Sequence, residues 1–205
     1  MKNLKYDLLY LKKTSKFIIF PSIAVLFAII SPLTAKYINE LLKLLMDEGG
    51  PVISLPDPTV LDSYAQYISN LYEIFLIVII FIATSMFIRD KVKGYLPLIL
   101  SKPINRTKYL LSKYASMSIV IFSSLIVSGI VFSYYTFFVF GEVNVVFVLL
   151  ITLMFMLYVL FIMAIVMLFS TLFNNYAATS LISFFLYILF NILGGFEKSI
   201  LEYLP

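Results

Sequence analysis

The sequence predicts an all-α fold, a polytopic membrane helix bundle of about five transmembrane helices with an N-terminal interfacial helix. Three observations point there. Hydrophobic residues make up 62% of the chain and charged ones only 13%, against about 25% charged in soluble domains. The apolar runs between charges reach the roughly 20 residues that a helix needs to cross a hydrocarbon core. They are uniformly apolar rather than alternating, which favours helices over barrel strands.

The first 16 residues carry Lys2, Lys5, Lys12, Lys13 and Lys16. At 100° per residue these fall within an arc of about 100°, with Leu4, Leu8 and Leu11 on a separate face and Leu9 off pattern. That is the pattern of a helix lying in the membrane interface; a basic tail that only sets topology is the other reading. Lys16 and Lys36 then enclose 19 uncharged residues, so a span is predicted over 17–35. A signal peptide with a weak Leu33-Thr34-Ala35 cleavage site competes for this segment.

The next segment, 36–65, holds a helix-like stretch Ile38–Met46, turn signals at Gly49-Gly50-Pro51 and Pro56-Asp57-Pro58, and Thr59 placed to cap a helix entering the second span. That span is predicted over 66–88, a third over 114–139, and two more over 143–169 and 177–193. The last two are separated by the turn-forming Ser170-Thr171-Leu172-Phe173-Asn174-Asn175. Gly194-Gly195 is a plausible stop for the fifth.

Orientation follows from the cations. The N-terminal segment and the 89–113 loop hold 12 of the 15 Lys and Arg residues, whereas the segments at 36–65 and around Glu142 are acidic or nearly uncharged. By the excess of positive charge on cytoplasmic loops, the N-terminus and the 89–113 loop are expected in the cytoplasm of a cell membrane. The whole of 1–205 reads as one transmembrane domain.

Several chemistries are excluded. With no Cys and no His, there are no thiolates, no disulfides and no imidazole for metal binding or proton transfer. No phosphate-binding Gly-x-x-x-x-Gly-Lys-Ser/Thr, His-Glu-x-x-His or Gly-x-Ser-x-Gly occurs. The third-span serines Ser116, Ser118, Ser123, Ser124, Ser128 and Ser133 lack a basic partner at depth and read as helix packing. Glu73 is the one charge inside a predicted span, close to its outer rim. So few intramembrane charges disfavour an ion-coupled transporter, and energy for any transport is expected from a partner. Nothing in the composition points to nucleic acid.

The 89–113 loop is the informative segment. It is short and basic, yet Tyr95–Leu100 is apolar. Such a cluster either docks a partner or dips into the inner leaflet. Here the chain resembles the permease subunits of type 2 ATP-binding-cassette transporters. In that family the corresponding loop runs from an acidic residue through a Gly and a Leu-rich turn to Ser-x-Pro, an Arg and a closing Lys. The matches are Asp90, Gly94, Leu96, Leu98, Leu100, Ser101, Pro103, Arg106 and Lys113. The 170–175 turn is similar to the family's second cytoplasmic loop. Three features depart from the family: Asp90 stands where Glu is usual, Pro97 interrupts the Leu-rich turn, and five spans replace six. Glu197–Leu204 looks like the approach to a sixth span.

The resemblance implies a coupling helix that docks on a separate ATPase subunit. The contact would come from Tyr95–Leu100 and the flanking charges from Arg89, Asp90, Lys93 and Arg106. A second contact would come from Ser170, Thr171, Asn174 and Asn175. It implies ATP and Mg in that partner and no cofactor in this chain, which would not itself be an enzyme. It also implies a second permease copy or a paralogue, and leans towards export. A non-transport scaffold or assembly factor, whose basic loop binds anionic lipid or a cytosolic protein, is the alternative.

Overall fold

A computed structural model describes residues 2–45, 57–101 and 105–202. All regular structure among them is helical. The chain runs through α1 (Lys2–Lys13), α2 (Lys16–Leu45), α3 (Val60–Asn70), a π-helical turn (Leu71–Phe75), α4 (Leu76–Val92), the short α5 (Leu96–Leu100), α6 (Arg106–Phe140), α7 (Val145–Leu172) and α8 (Tyr176–Glu202). The turns expected at Gly49-Gly50-Pro51 and at Pro56 lie outside the described residues.

Four stretches are long and apolar enough to cross a membrane: Lys16–Ile38, Val60–Val92, Arg106–Phe140 and Val145–Leu172. The first three contain the predicted spans 17–35, 66–88 and 114–139 and extend beyond them at both ends, and the fourth is shifted towards the C-terminus of the predicted 143–169 by two or three residues. The fifth prediction falls on α8, whose apolar stretch Tyr176–Ile192 is shorter than these.

Local chemistry explains the boundaries. Lysines 5, 12 and 13 of α1 are exposed while Leu11 is buried, as the helical projection expects. A step at Thr14-Ser15 separates α1 from α2, where the Thr14 carbonyl accepts from Phe17 N–H at 3.2 Å. The predicted first span and the helix-like stretch that follows it, as far as Leu45, merge into α2, which continues through Pro21 and Pro32. Interior prolines of this kind are tolerated in membrane helices. Thr59 caps α3 as its position suggested: its N–H and its hydroxyl both donate to the Asp62 carboxylate, at 2.7 and 2.8 Å. The π turn lets α3 run on into α4 and leaves Glu73 exposed.

The chain divides into two compact units. One comprises Leu11–Leu76 and Ile119–Leu157. Its centre is aromatic. Tyr67 stacks on Phe132 with centroids 4.2 Å apart, and Phe75 meets Phe20 at 6.3 Å and Phe155 at 6.2 Å. Polar pairs cross between helices within this core. The Tyr67 hydroxyl lies 2.7 Å from Ser128 Oγ, which donates to the Ala24 carbonyl at 2.8 Å. Asn70 donates to Ser31 at 2.9 Å. Of the six serines read as packing, only Ser128 is seen bridging helices; the others bond carbonyls three or four residues back in α6.

The other unit comprises Met1–Tyr10, Ile77–Ser118 and Tyr158–Pro205. Ile79, Ile80, Ala83, Met86, Met117, Ile162, Met163 and Val166 are buried there. The Tyr114 hydroxyl donates to the Leu160 carbonyl at 2.7 Å, joining α6 to α7. This unit holds the 89–113 loop and the turn between α7 and α8.

Candidate functional site

The end of α4 fixes how the 89–113 loop begins. Gly94 takes a left-handed conformation, φ +71°, which residues with a Cβ adopt only at a cost. Tyr95 N–H then bonds the Asp90 carbonyl at 2.8 Å and Gly94 N–H the Lys91 carbonyl at 3.2 Å. This pair of bonds is a Schellman stop. It turns the chain at once into α5, where Pro97 occupies the first turn. A proline there removes no helical hydrogen bond, so Pro97 starts the short helix rather than breaking it.

Beneath this turn lies a charged cluster. Lys113 Nζ is 2.6 Å from Asp90 Oδ2 and also donates to the Met86 carbonyl at 3.3 Å. Both residues are almost wholly buried, Asp90 at 3% and Lys113 at 1% exposure. Arg89 Nε contacts Asp90 Oδ1 at 2.8 Å, and the Tyr109 hydroxyl donates to Asp90 Oδ2. One carboxylate thus gathers two cations and a phenol from the facing ends of α4 and α6. Helix α1 joins the cluster: the Arg89 guanidinium lies over the Tyr10 ring, 3.7 Å from its centroid, and Ser112 donates to Asp7 at 2.5 Å. Burial raises the Asp7 carboxyl above its ordinary value; the Ser112 bond and the Lys113 charge act the other way. Tyr6, Asp7, Tyr10, Arg89, Asp90, Ile99 and Tyr109 surround a hollow of about 200 Å³.

A second tie binds the two loops. Lys91 Nζ donates to the carbonyls of Thr171 and Phe173, at 2.7 and 3.0 Å. These are carbonyls at the end of α7, and a lysine is well suited to such a terminus.

The docking set expected from sequence therefore divides. Lys93, Gly94, Tyr95, Ser101 and Arg106 are exposed, and Leu96 is half-buried. Asp90 and Lys113 are turned inward and paired with each other. The Asp90 carboxylate is enclosed by Lys113, Arg89 and Tyr109. Arg89 is half-buried and committed to Asp90 and Tyr10. Leu98 and Leu100 belong to α5, but their side chains, like Pro103, lie outside the described residues.

In the second loop, Thr171, Asn174 and Asn175 are exposed. Ser170 is buried, with its hydroxyl on the Met167 carbonyl at 2.7 Å. Asn175 caps α8 by accepting from Ala177 N–H at 2.9 Å. Ser170 thus faces into the turn, whereas Asn175 caps α8 and stays exposed.

Sequence reasoning missed Tyr109, Tyr10, Asp7, Ser112 and Lys91. One signal was available: Tyr109 and Lys113 are four apart and share a helix face. The pairings with α1 and α7 depend on tertiary packing. No group of three His, Cys, Asp or Glu side chains that could hold a metal occurs among the described residues.

Comparison with curated proteins and with solved structures yields no match. A family model matches residues 51–205, a stretch that includes the loop, its ion-pair cluster and the α7–α8 turn, and the chain therefore belongs to that family, described as a protein of unknown function (DUF2705).

Proposed function

We propose that the chain is the membrane-spanning permease subunit of an ATP-binding-cassette transporter, acting as an exporter in the cell membrane. Energy comes from a separate ATPase subunit docked on the 89–113 loop. In this reading the N-terminus and the loop are cytoplasmic, and a second copy or a paralogue completes the pathway. ATP and Mg belong to the partner.

The observation that supports this most is the way the ends of α4 and α6 are tied together beside α5. A coupling element must pass force to the spans rather than absorb it. The Gly94 stop holds one flank of α5 to α4, and the Asp90–Lys113 pair ties the ends of α4 and α6 together behind it. Tyr95 is left half-exposed, and Lys93 and Arg106 are exposed. Displacement of α5 would move the spans as levers.

The test is co-purification of the tagged full chain from its native membrane, followed by reconstitution with the ATPase recovered. An ATP-binding-cassette ATPase is expected, identified by its own nucleotide-binding motifs. Tyr95→Ala, and Leu98→Ala with Leu100→Ala, are expected to lower its stimulated ATP hydrolysis while the spans stay folded. No such ATPase, or unchanged stimulation in these variants, overturns the reading.

A further inference from the structure

Next to α5 lies a cleft of about 190 Å³. Its polar side comes from Lys91, Arg106 and Thr171, and its apolar side from Phe87, Leu96 and Leu110. These residues are ordered along the helices. Lys91 lies one residue from the end of the stretch Val60–Val92, Arg106 opens Arg106–Phe140, and Thr171 is next to the last residue of Val145–Leu172. Phe87 and Leu110 each lie four residues further into their helices, about 6 Å by the helical rise. The cleft therefore passes from cationic at the helix ends to apolar within one turn.

The charge is available. Residues 91–113 contain no Asp or Glu, and Asp90, the acid next to them, is occupied by Lys113 and Arg89. Among the described residues Arg106 has no ion-pair partner and is exposed. Lys91 spends two ammonium hydrogens on carbonyls, which leaves a third for a ligand.

The geometry points to a binding site for one anionic phospholipid. Its phosphate meets Arg106 and Lys91, and the start of its acyl chains lies against Phe87 and Leu110. A cationic rim above an apolar floor fits an amphiphile, whereas a free anion would make no use of the floor and a neutral lipid no use of the rim. The site needs only a membrane and stands apart from the permease reading: a missing ATPase leaves it intact, and a failed lipid test leaves ATPase docking intact.

The experiment is thermal unfolding of the purified full chain in a neutral detergent, titrated with phosphatidylglycerol, with phosphatidylcholine of the same chains, and with inorganic phosphate. Phosphatidylglycerol is expected to raise Tm in a saturable way, and the other two are not. Arg106→Gln is expected to weaken the phosphatidylglycerol effect about fivefold, the loss for one surface cation, with Tm in the absence of lipid unchanged. Lys93→Gln, an exposed cation outside the cleft, is expected to leave the titration unaltered. Equal stabilisation by phosphatidylcholine, the same shift from phosphate alone, or equal losses in the two variants overturns the site.

Discussion

Lys113 Nζ and Asp90 Oδ2, 23 residues apart in sequence, meet at 2.6 Å in a buried ion pair. Removing one partner leaves the other charged and enclosed, which costs about 3–5 kcal/mol. Replacing both by apolar groups costs much less. Asp90→Asn and Lys113→Met are each expected to be strongly destabilising in detergent, and the double variant to be more stable than the sum of the two losses allows. A thermal or chemical unfolding cycle over the four proteins reads this coupling. Additive losses would show that the pair does not act as a unit.

The spans were legible because charges are scarce: those predicted over 17–35 and 114–139, bounded by Lys16, Lys36, Lys113 and Glu142, fall inside helices. The amphipathic α1 and the Thr59 cap were legible because both depend on neighbours within a turn. The ion pair was not. Asp90 and Lys113 sit in a basic segment where every charge reads as solvated, and only the packing of α4 against α6 takes these two from water. Sequence also separated α2 into a span and a helix, because Lys36 ends the uncharged run, whereas the helix continues past that charge to Leu45. Nor could it choose Ser128 among six serines, because the choice depends on which face of α6 meets Tyr67 and Ala24.

Gly94 is the backbone stop that turns α4 into α5. A Cβ added there meets nothing within 4 Å, so the cost of substitution is conformational alone. Gly94→Ala is expected to lose about 1–2 kcal/mol, the price of a left-handed residue with a side chain, and Gly94→Asn less. Unfolding midpoints check the order. If α5 couples to an ATPase, Gly94→Ala is also expected to reduce stimulated hydrolysis, because the stop that aims α5 is weakened.

Ser128 and Tyr67 make an ordered chain of hydrogen bonds. Ser128 donates to the Ala24 carbonyl, so the Tyr67 hydroxyl donates to Ser128. Tyr67→Phe removes one bond and leaves Ser128 its acceptor. Ser128→Ala removes two and leaves the buried phenol unpaired. With bonds inside membrane bundles worth about 0.6 kcal/mol on average, Ser128→Ala is expected to be the more destabilising by at least that amount. Equal losses would place the proton the other way, on Ser128 towards Tyr67.

Asp7 gives the fold a pH dependence whose sign follows from its burial. Its folded carboxyl titrates above the ordinary value of 3.8, so between the two values the folded chain holds the proton more tightly than the unfolded one. Stability from this group is therefore present in acid and is lost as pH rises through the folded value. Asp7→Asn mimics the protonated side chain and can still accept the Ser112 hydrogen bond. The variant is expected to be slightly more stable than the parent at neutral pH, with the difference closing towards pH 4. Paired unfolding curves across that range measure it. A variant less stable at neutral pH would mean that the ionised Asp7 gains more from Lys113 and Ser112 than burial takes away.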